Sequence, residues 1–374
     1  MAFIGPWNYA NGLGAAGRGY LSALWRLDID LNLHPVKLPF HIHERITPAA
    51  DVCDFIGPAD LVIVHLNPDS WHLMTPDQQA VVTQAKSRVG LWVWEMSTLP
   101  DPWRANLGRV DAIWAPSHYC AEVFAREAKL PVSVTPHVVT VTAPDSSDET
   151  AALRSELGLG ADTRLILYAF DGASYLVRKN PHALVRAFQA SRLAKDGWRL
   201  VLKTKHLMDR SEDGAALAAL ASVTPGVIIV DRAMSPMQMS AFFDLADIYA
   251  SPHRSEGFGL TIAEAMAKGK IVVASDFGGS RDFLDADCGF PVPVQLKPLD
   301  ASYGHYTRGA AWAEVDEAAF ATALRAAAQA VTSGDTRLGV AARERLARDY
   351  SADAVAHTLQ QALASVGVDA PRKT

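Results

Sequence analysis

Cysteine is scarce in this chain: Cys53, Cys120 and Cys288 are the only three in 374 residues, far apart and without a CxxC spacing. That excludes a disulfide framework and a zinc site of local spacing, and it makes a reducing cytosol the simplest setting. Long hydrophobic runs are missing too. No apolar stretch reaches the roughly 18 residues of a membrane span, and the N-terminus has no basic region followed by an apolar one, so neither an integral membrane protein nor a secreted one is expected. Excess positive charge is also lacking. The net charge is -6, and residues 1–145 hold 10 Lys+Arg against 14 Asp+Glu. Nucleic acid is therefore not an expected partner, and contact with a membrane would be at most peripheral. No repeat of solenoid period and no low-complexity segment occurs.

A hydrophobic fraction of 49% with 20% charged residues supports well-formed cores, and the length implies two domains. Apolar runs alternate with helical patterns from the start. Strands are predicted at 3–4, 29–33, 61–64, 91–94 and 112–115, with helices at 18–26, 76–86 and 118–129 between them. The polar stretch 141–150 reads as a linker. A second series follows, with strands at 165–170, 200–203, 227–230, 248–250 and 271–274 and helices at 181–193, 235–245 and 260–268. Helices at 317–330, 337–348 and 352–364 end the chain. The expected fold is α/β, two facing Rossmann-like domains, each a doubly wound parallel sheet. The domains are read as 1–145 and 146–350, with 351–374 a helix that could return to the first domain, followed by a frayed tail from Ala370. Ligands of open parallel sheets sit beyond the carboxyl ends of the strands, which makes the cleft between the domains the expected site.

One stretch organises the rest. His253-Arg254-Ser255-Glu256-Gly257-Phe258-Gly259 leads from the strand at 248–250 into the helix at 260–268, which begins at Leu260 and carries Glu264. A strand, a glycine loop and a helix start together expose backbone N–H groups at the positive end of a helix dipole, a setting that suits an anion. Glu256 and Glu264 lie roughly 12 Å apart along the axis at ~1.5 Å per residue. Paired carboxylates that flank one glycosidic bond stand ~5–9.5 Å apart, so these two do not form such a pair. The wider spacing fits an elongated ligand with hydroxyls at both ends and negative charge between them, as in a nucleotide sugar.

This stretch resembles the E-x7-E signature of retaining glycosyltransferases of family 4, which have the GT-B fold. The resemblance continues in Phe170-Asp171, Arg178-Lys179-Asn180-Pro181, Leu200-Val201-Leu202-Lys203, Asp247-Ile248-Tyr249-Ala250-Ser251, Gly278-Gly279 and Asp282-Phe283. Tyr306 with Gly309-Ala310-Ala311-Trp312-Ala313-Glu314, and Trp92-Val93-Trp94-Glu95, Trp103, Ile113-Trp114-Ala115-Pro116-Ser117 and Pro136-His137, resemble a subgroup linked to bacterial surface polysaccharide synthesis. The match is strongest in the second domain and loosest over the first 60 residues.

Roles follow from the resemblance. Glu256 would contact hydroxyls of the donor sugar near the reacting carbon, and Glu264 would hold the ribose hydroxyls. The N–H groups of Gly257, Phe258 and Gly259 would face the sugar and diphosphate, and Lys179 would supply a cation to the leaving phosphate. Lys203 is a second candidate cation. Many family members carry an arginine a few residues before the equivalent of Lys179. Residues 169–177 hold none here, so Arg178, Arg254 or Lys203 would replace it. The family's histidine after the fourth strand is also absent; Glu95 stands there, placed to orient the acceptor hydroxyl or take its proton.

Competing signals are weaker. Gly12-Leu13-Gly14-Ala15-Ala16-Gly17 fits G-x-G-x-x-G, but the strand before it is short and residues 5–11 intervene, so a glycine turn near the donor is expected rather than a dinucleotide site. Asp28-Ile29-Asp30 and Asp285-Ala286-Asp287 match the metal-binding DxD of another glycosyltransferase fold without its context. His41-Ile42-His43-Glu44 reads as a polar strand or loop. His65 follows a strand and could serve the acceptor; Trp7 is the most testable of seven tryptophans in residues 1–145.

The resemblance thus implies a retaining transfer of a hexose from a nucleoside-diphosphate sugar to a hydroxyl of a glycan or lipid-linked acceptor, in polysaccharide biosynthesis. No cofactor and no required metal are expected. The place of action would be the cytoplasm, and it could be the inner face of the membrane. The rivals are a nucleotide-sugar epimerase or phosphorylase on the same fold, and a non-catalytic nucleotide-sugar binder.

Overall fold

The computed structural model describes residues 1–38, 58–140, 147–207 and 211–372. Cys53, the stretch 41–44 and residues 141–146 of the predicted linker lie outside these. The first part of the chain runs β1 (Ala2–Gly5), α1 (Gly12–Leu24), β2 (Asn32–Pro35), β3 (Leu61–Val64), α2 (Pro76–Gln84), β4 (Ser87–Leu91), α3 (Asp101–Arg104), β5 (Ala112–Ala115), α4 (His118–Glu127) and β6 (Val132–Val134). The six strands pair in parallel in the order β2-β1-β3-β4-β5-β6. Every residue of β3, Leu61-Val62-Ile63-Val64, is buried, as a strand covered on both faces requires. Two helix starts are capped in the sequence itself: Thr75 and Gln78 form a capping box with Pro76 in the first turn of α2, and the Ser117 hydroxyl accepts from the Cys120 N–H in α4.

The chain continues through α5 (Ser147–Glu156), β7 (Leu165–Ala169), α6 (Leu176–Lys179), α7 (Pro181–Ser191), β8 (Arg199–Thr204), α8 (Ser211–Ser222), β9 (Val227–Asp231), α9 (Pro236–Leu245), β10 (Ile248–Ser251), α10 (Leu260–Ala267), β11 (Ile271–Ser275) and β12 (Phe290–Val292). An antiparallel hairpin of β13 (Val294–Pro298) and β14 (Ala311–Val315) comes next, followed by α11 (Glu317–Thr332), α12 (Arg337–Asp349) and α13 (Ala352–Ser365). The second sheet is again parallel, in the order β12-β11-β10-β7-β8-β9. Its order reverses between β7 and β10, and that of the first sheet between β1 and β3.

Two compact units result, Thr140–Ala347 and a discontinuous one of Met1–Val139 with Arg348–Thr374. The discontinuity has a local cause. α13 packs on α1, its face of Val355, Leu359 and Leu363 is buried, and Arg26 pairs with Asp353 at 2.8 Å. Of the segment read as a frayed tail, the described residues 370–372 are tied down instead. Ala370 is buried, the Asp28 N–H donates to the Pro371 carbonyl at 2.7 Å, and Arg372 donates to the Asp353 carbonyl at 2.7 Å.

Two strands fall elsewhere than expected. β2 spans 32–35 rather than 29–33, and the strand expected at 91–94 is β4, which ends at Leu91. Pairing ends with the Trp92 N–H, which donates to the Trp114 carbonyl at 3.0 Å, and the rest of the apolar run reflects burial: Trp92 and Trp94 sit in the core, the Trp94 ring 4.5 Å from that of Trp103 and the Trp92 ring 6.0 Å from that of Phe124.

Candidate active site

The carboxyl ends of β7 and β10 meet where the strand order of the second sheet reverses, the place where open α/β sheets take ligands. From β10 the chain turns through His253, whose ring bonds the Ser251 hydroxyl at 3.1 Å and the Phe277 carbonyl at 2.9 Å, and reaches Glu256. Gly259 then starts α10 with φ of +95°, a conformation that excludes most side chains. A second glycine pair backs this loop. The Gly279 N–H donates to the Glu256 carbonyl at 2.8 Å, and a Cβ on Gly279 would lie 2.1 Å from the Gly257 carbonyl oxygen.

Glu256 is gripped by two cations from α6. Lys179 Nζ lies 2.5 Å from one carboxylate oxygen and Arg178 Nη1 3.2 Å from the other, while the same Arg178 nitrogen donates to the Ser255 carbonyl at 2.8 Å. Burial by itself would raise the Glu256 carboxyl. Lys179, Arg178 and His253 outweigh it and hold the group at about 2, so it is ionised throughout the neutral range. The short helix is itself fixed. Tyr175, at φ of +60°, leads into it, Asn180 ends it in the left-handed region, Asn180 Nδ2 donates to the Pro252 carbonyl at 3.2 Å, and the Tyr168 hydroxyl donates to the Lys179 carbonyl at 2.7 Å. Two cations against one carboxylate leave the spot positive, which suits a polyanionic ligand.

The other sequence-predicted residues fall in three groups. Glu264 stands on α10 and is half-buried, just over one turn from the start of the helix at Leu260. Lys203 pairs in register with Ala169 of β7 and thus joins the same rim; burial, with Lys205 beside it, pulls its ammonium down to about 8. Phe258 turns its ring into the core against Phe283, centroids 5.2 Å apart, so only its backbone faces the loop. Arg254 is engaged with the protein itself, pairing with Glu314 through Nε at 2.8 Å and Nη2 at 3.0 Å. Glu95, Gly12 and Gly14 belong to the first unit. Glu95 comes four residues after the end of β4 rather than at its last position, and its carbonyl accepts from the Tyr119 hydroxyl at 2.9 Å. Gly12 and Gly14 are not a turn: they open α1, where the Asn11 side chain caps the Gly14 N–H. Trp7, Tyr20, His65 and His137 are buried in this unit. Among the described residues no cluster of His, Cys, Asp or Glu could hold a metal, and Asp285 of the second DxD pairs with Arg345 at 2.6 Å.

Arg178 is one of three replacements the sequence offers for the missing phosphate-site arginine, and adjacency to Lys179 on one turn of helix is its signal. The sequence assigns no role to His253 or to the Gly278-Gly279 backing, because the contacts that tie them to the loop, His253 with the Phe277 carbonyl and Gly279 with the Glu256 carbonyl, are to backbone positions distant along the chain.

Residues 166–300 match the family described as Glycosyl transferases group 1. That match covers about a third of the chain and lies within the second unit. Among curated relatives, a D-inositol 3-phosphate glycosyltransferase of Xylanimonas cellulosilytica is 36% identical over 149 residues, 38% of this chain and 33% of the relative. A lipopolysaccharide 1,2-N-acetylglucosaminetransferase of Salmonella typhimurium is 30% identical over 145 residues, 37% of each chain. The chain thus spans about a third of the length of the curated relatives it matches. Solved structures extend the likeness beyond the group 1 domain. A glycosyltransferase from Rickettsia africae covers 98% of this chain and 97% of its own with a TM-score of 0.69 at 12% identity. Anabaena HepE in complex with UDP and glucose covers 97% and 99% with a TM-score of 0.66 at 14% identity. At those identities the likeness is one of fold. It is the GT-B fold implied by the resemblance to family 4, with one Rossmann-like sheet in each unit.

Proposed function

We propose that the protein is a retaining glycosyltransferase that moves a hexose from a nucleoside-diphosphate sugar to a hydroxyl of a glycan or lipid-linked acceptor in polysaccharide biosynthesis. The observation that carries this reading is the ionised Glu256 held between Lys179 and Arg178 at the switch point of the second sheet, with Glu264 just over one turn into the helix that follows. In this reading Lys179 and Arg178 stabilise the charge that grows on the departing diphosphate; fixed charges aimed at developing charge are the main source of rate enhancement in sites of this kind. The Glu256 carboxylate accepts hydrogen bonds from the donor sugar, and Glu264 accepts them from the ribose. Because two side-chain cations meet the leaving group, no metal is required. Glu95 orients the acceptor hydroxyl. The enzyme works in the cytoplasm, with at most surface contact with the inner face of the membrane. The glycosyltransferase names of its relatives and the UDP-bound HepE neighbour support the reading.

Calorimetry with UDP, GDP and ADP, followed by an acceptor screen with the matching sugar donors in EDTA, tests it. Glu256→Gln should abolish transfer while nucleotide binding holds or tightens, since the substitution releases both cations from their carboxylate. Glu264→Ala should weaken nucleotide binding by about tenfold, the loss of a charge-assisted hydrogen bond. Wild-type activity in both variants would refute the site. Loss of all activity in EDTA, restored by Mn²⁺, would refute metal independence.

A further inference from the structure

Arg254 sits two residues from Glu256 in sequence, yet its side chain is spent elsewhere. Its guanidinium forms a two-point bond with Glu314 of β14 at 2.8 and 3.0 Å, and its third contact, Nη1, donates to the Val177 carbonyl inside α6 at 2.6 Å. The plane lies over the Trp312 ring, 5.2 Å from its centroid. Its backbone repeats the pattern. The Arg254 N–H donates to the Arg178 carbonyl at 2.8 Å, and its carbonyl accepts from the Ala313 N–H at 2.8 Å. One residue thus joins three segments: the Glu256 loop, the helix that carries Arg178 and Lys179, and the hairpin.

The hairpin reaches the same helix by a second route. Between β13 and β14, Tyr303 and Tyr306 close a tight turn through paired backbone bonds, and the Tyr303 ring stacks on Trp312 with centroids 5.5 Å apart. Tyr306 and His305 then meet Tyr175, the residue that starts α6, at 5.1 and 5.6 Å between ring centroids. Gly304 leaves room for the Tyr175 hydroxyl where a side chain would collide with it. The entry and the middle of α6 are therefore both held by β13–β14.

We propose that Arg254 is a positioning residue: with Glu314 it locks the β13–β14 hairpin onto α6, and the hairpin thereby sets where Arg178 and Lys179 stand for the donor diphosphate. The inference rests on the donor-site reading above for its effect on affinity, but the lock itself stands on the geometry of the second unit alone.

The test uses the full chain with Arg254→Gln, the milder Arg254→Lys that keeps the charge but loses the planar fork, Glu314→Gln and the Arg254→Gln/Glu314→Gln pair. Backbone hydrogen exchange is measured without ligand, and UDP, GDP and ADP are titrated by calorimetry. Each single variant should speed exchange at the amides of 176–180 selectively, leaving the strands of the same sheet protected. Each should weaken the nucleotide that the wild type binds by about tenfold, and the double variant should be no worse than the worse single one, as expected for partners in one interaction. If Arg254 instead touched the nucleotide, Glu314→Gln would leave binding unchanged or tighten it, and that result overturns the proposal. Unchanged exchange at 176–180 in the Arg254 variants overturns it as well. A wild type that binds none of the three nucleotides would count against the donor-site reading, and the exchange measurement would still decide the lock.

Discussion

At Gly279 the candidate site leaves no room for even a methyl group. A Cβ there would meet the Gly257 carbonyl oxygen at 2.1 Å and the Phe258 Cα at 2.7 Å, and the residue's own N–H holds the Glu256 carbonyl. Gly279→Ala should therefore push the Glu256 loop away from α6. A misplacement on the order of 1 Å costs about a hundredfold in rate, whereas overpacking costs only about 1–3 kcal/mol of stability. Steady-state rates measured beside a urea melt should show the rate falling far more than the fold weakens; a variant with ordinary turnover would show that the loop tolerates the shift. Residues of this kind mark the limit of sequence reading. Glu256, Lys179 and Glu264 stand out because charged side chains at set spacings about a glycine loop have few other uses. Arg254 looked like one more ligand, since nothing in the sequence around it reveals a partner sixty positions away at Glu314.

At the scale of elements, burial decided what could be read. β5, β7, β10, β11, α10 and α11 begin at the residues expected, because each is a short apolar run or a clear helical period that starts at a polar boundary. β4 was displaced because Leu91-Trp92-Val93-Trp94 is as apolar as a strand while pairing stops at the Trp92 N–H and the tryptophan side chains fill the core. The β13–β14 hairpin escaped altogether: β13 exposes Gln295, Leu296, Lys297 and Pro298 and has no alternating pattern to find. The role of α13 shows what helix-on-helix packing contributes. Leu359 is fully buried on the helix that packs against α1, so Leu359→Ala should cost about 2–5 kcal/mol. Urea unfolding followed by tryptophan fluorescence reads this directly, since Trp7, Trp71, Trp92, Trp94, Trp103 and Trp114 are all buried in the same unit. A shift below about 1 kcal/mol would mean that α13 is only loosely seated.

For the whole molecule, alternation of strand and helix made the doubly wound architecture legible, and the reversal of strand order could not be, since order within a sheet is written in long-range pairing. The first unit also carries an acid weakness. His65 and His137 are fully enclosed beside Tyr20, and burial, assisted at His137 by His65, lowers both rings to about 3. In the unfolded chain each binds a proton near 6.5, while in the fold each remains neutral, so the unfolded state gains protons first as the pH falls. Their contribution is present above about 6.5 and is lost between there and about 3, at about 1.4 kcal/mol per pH unit for each ring. Stability measured from pH 7 to pH 4 should fall with that steepness, and His65→Leu should flatten the slope. An unaltered slope in that variant would place the acid sensitivity elsewhere.

The return of α13 to α1 also orders events in time. The second unit is one uninterrupted stretch, so it can close as soon as its last helix has left the ribosome. The first unit, although it begins the chain, stays unfinished until residues 352–372 arrive to cover α1 and anchor Asp28. The unit begun first is thus the last to be completed, and the apolar face of α1 is the surface a chaperone would meet during synthesis.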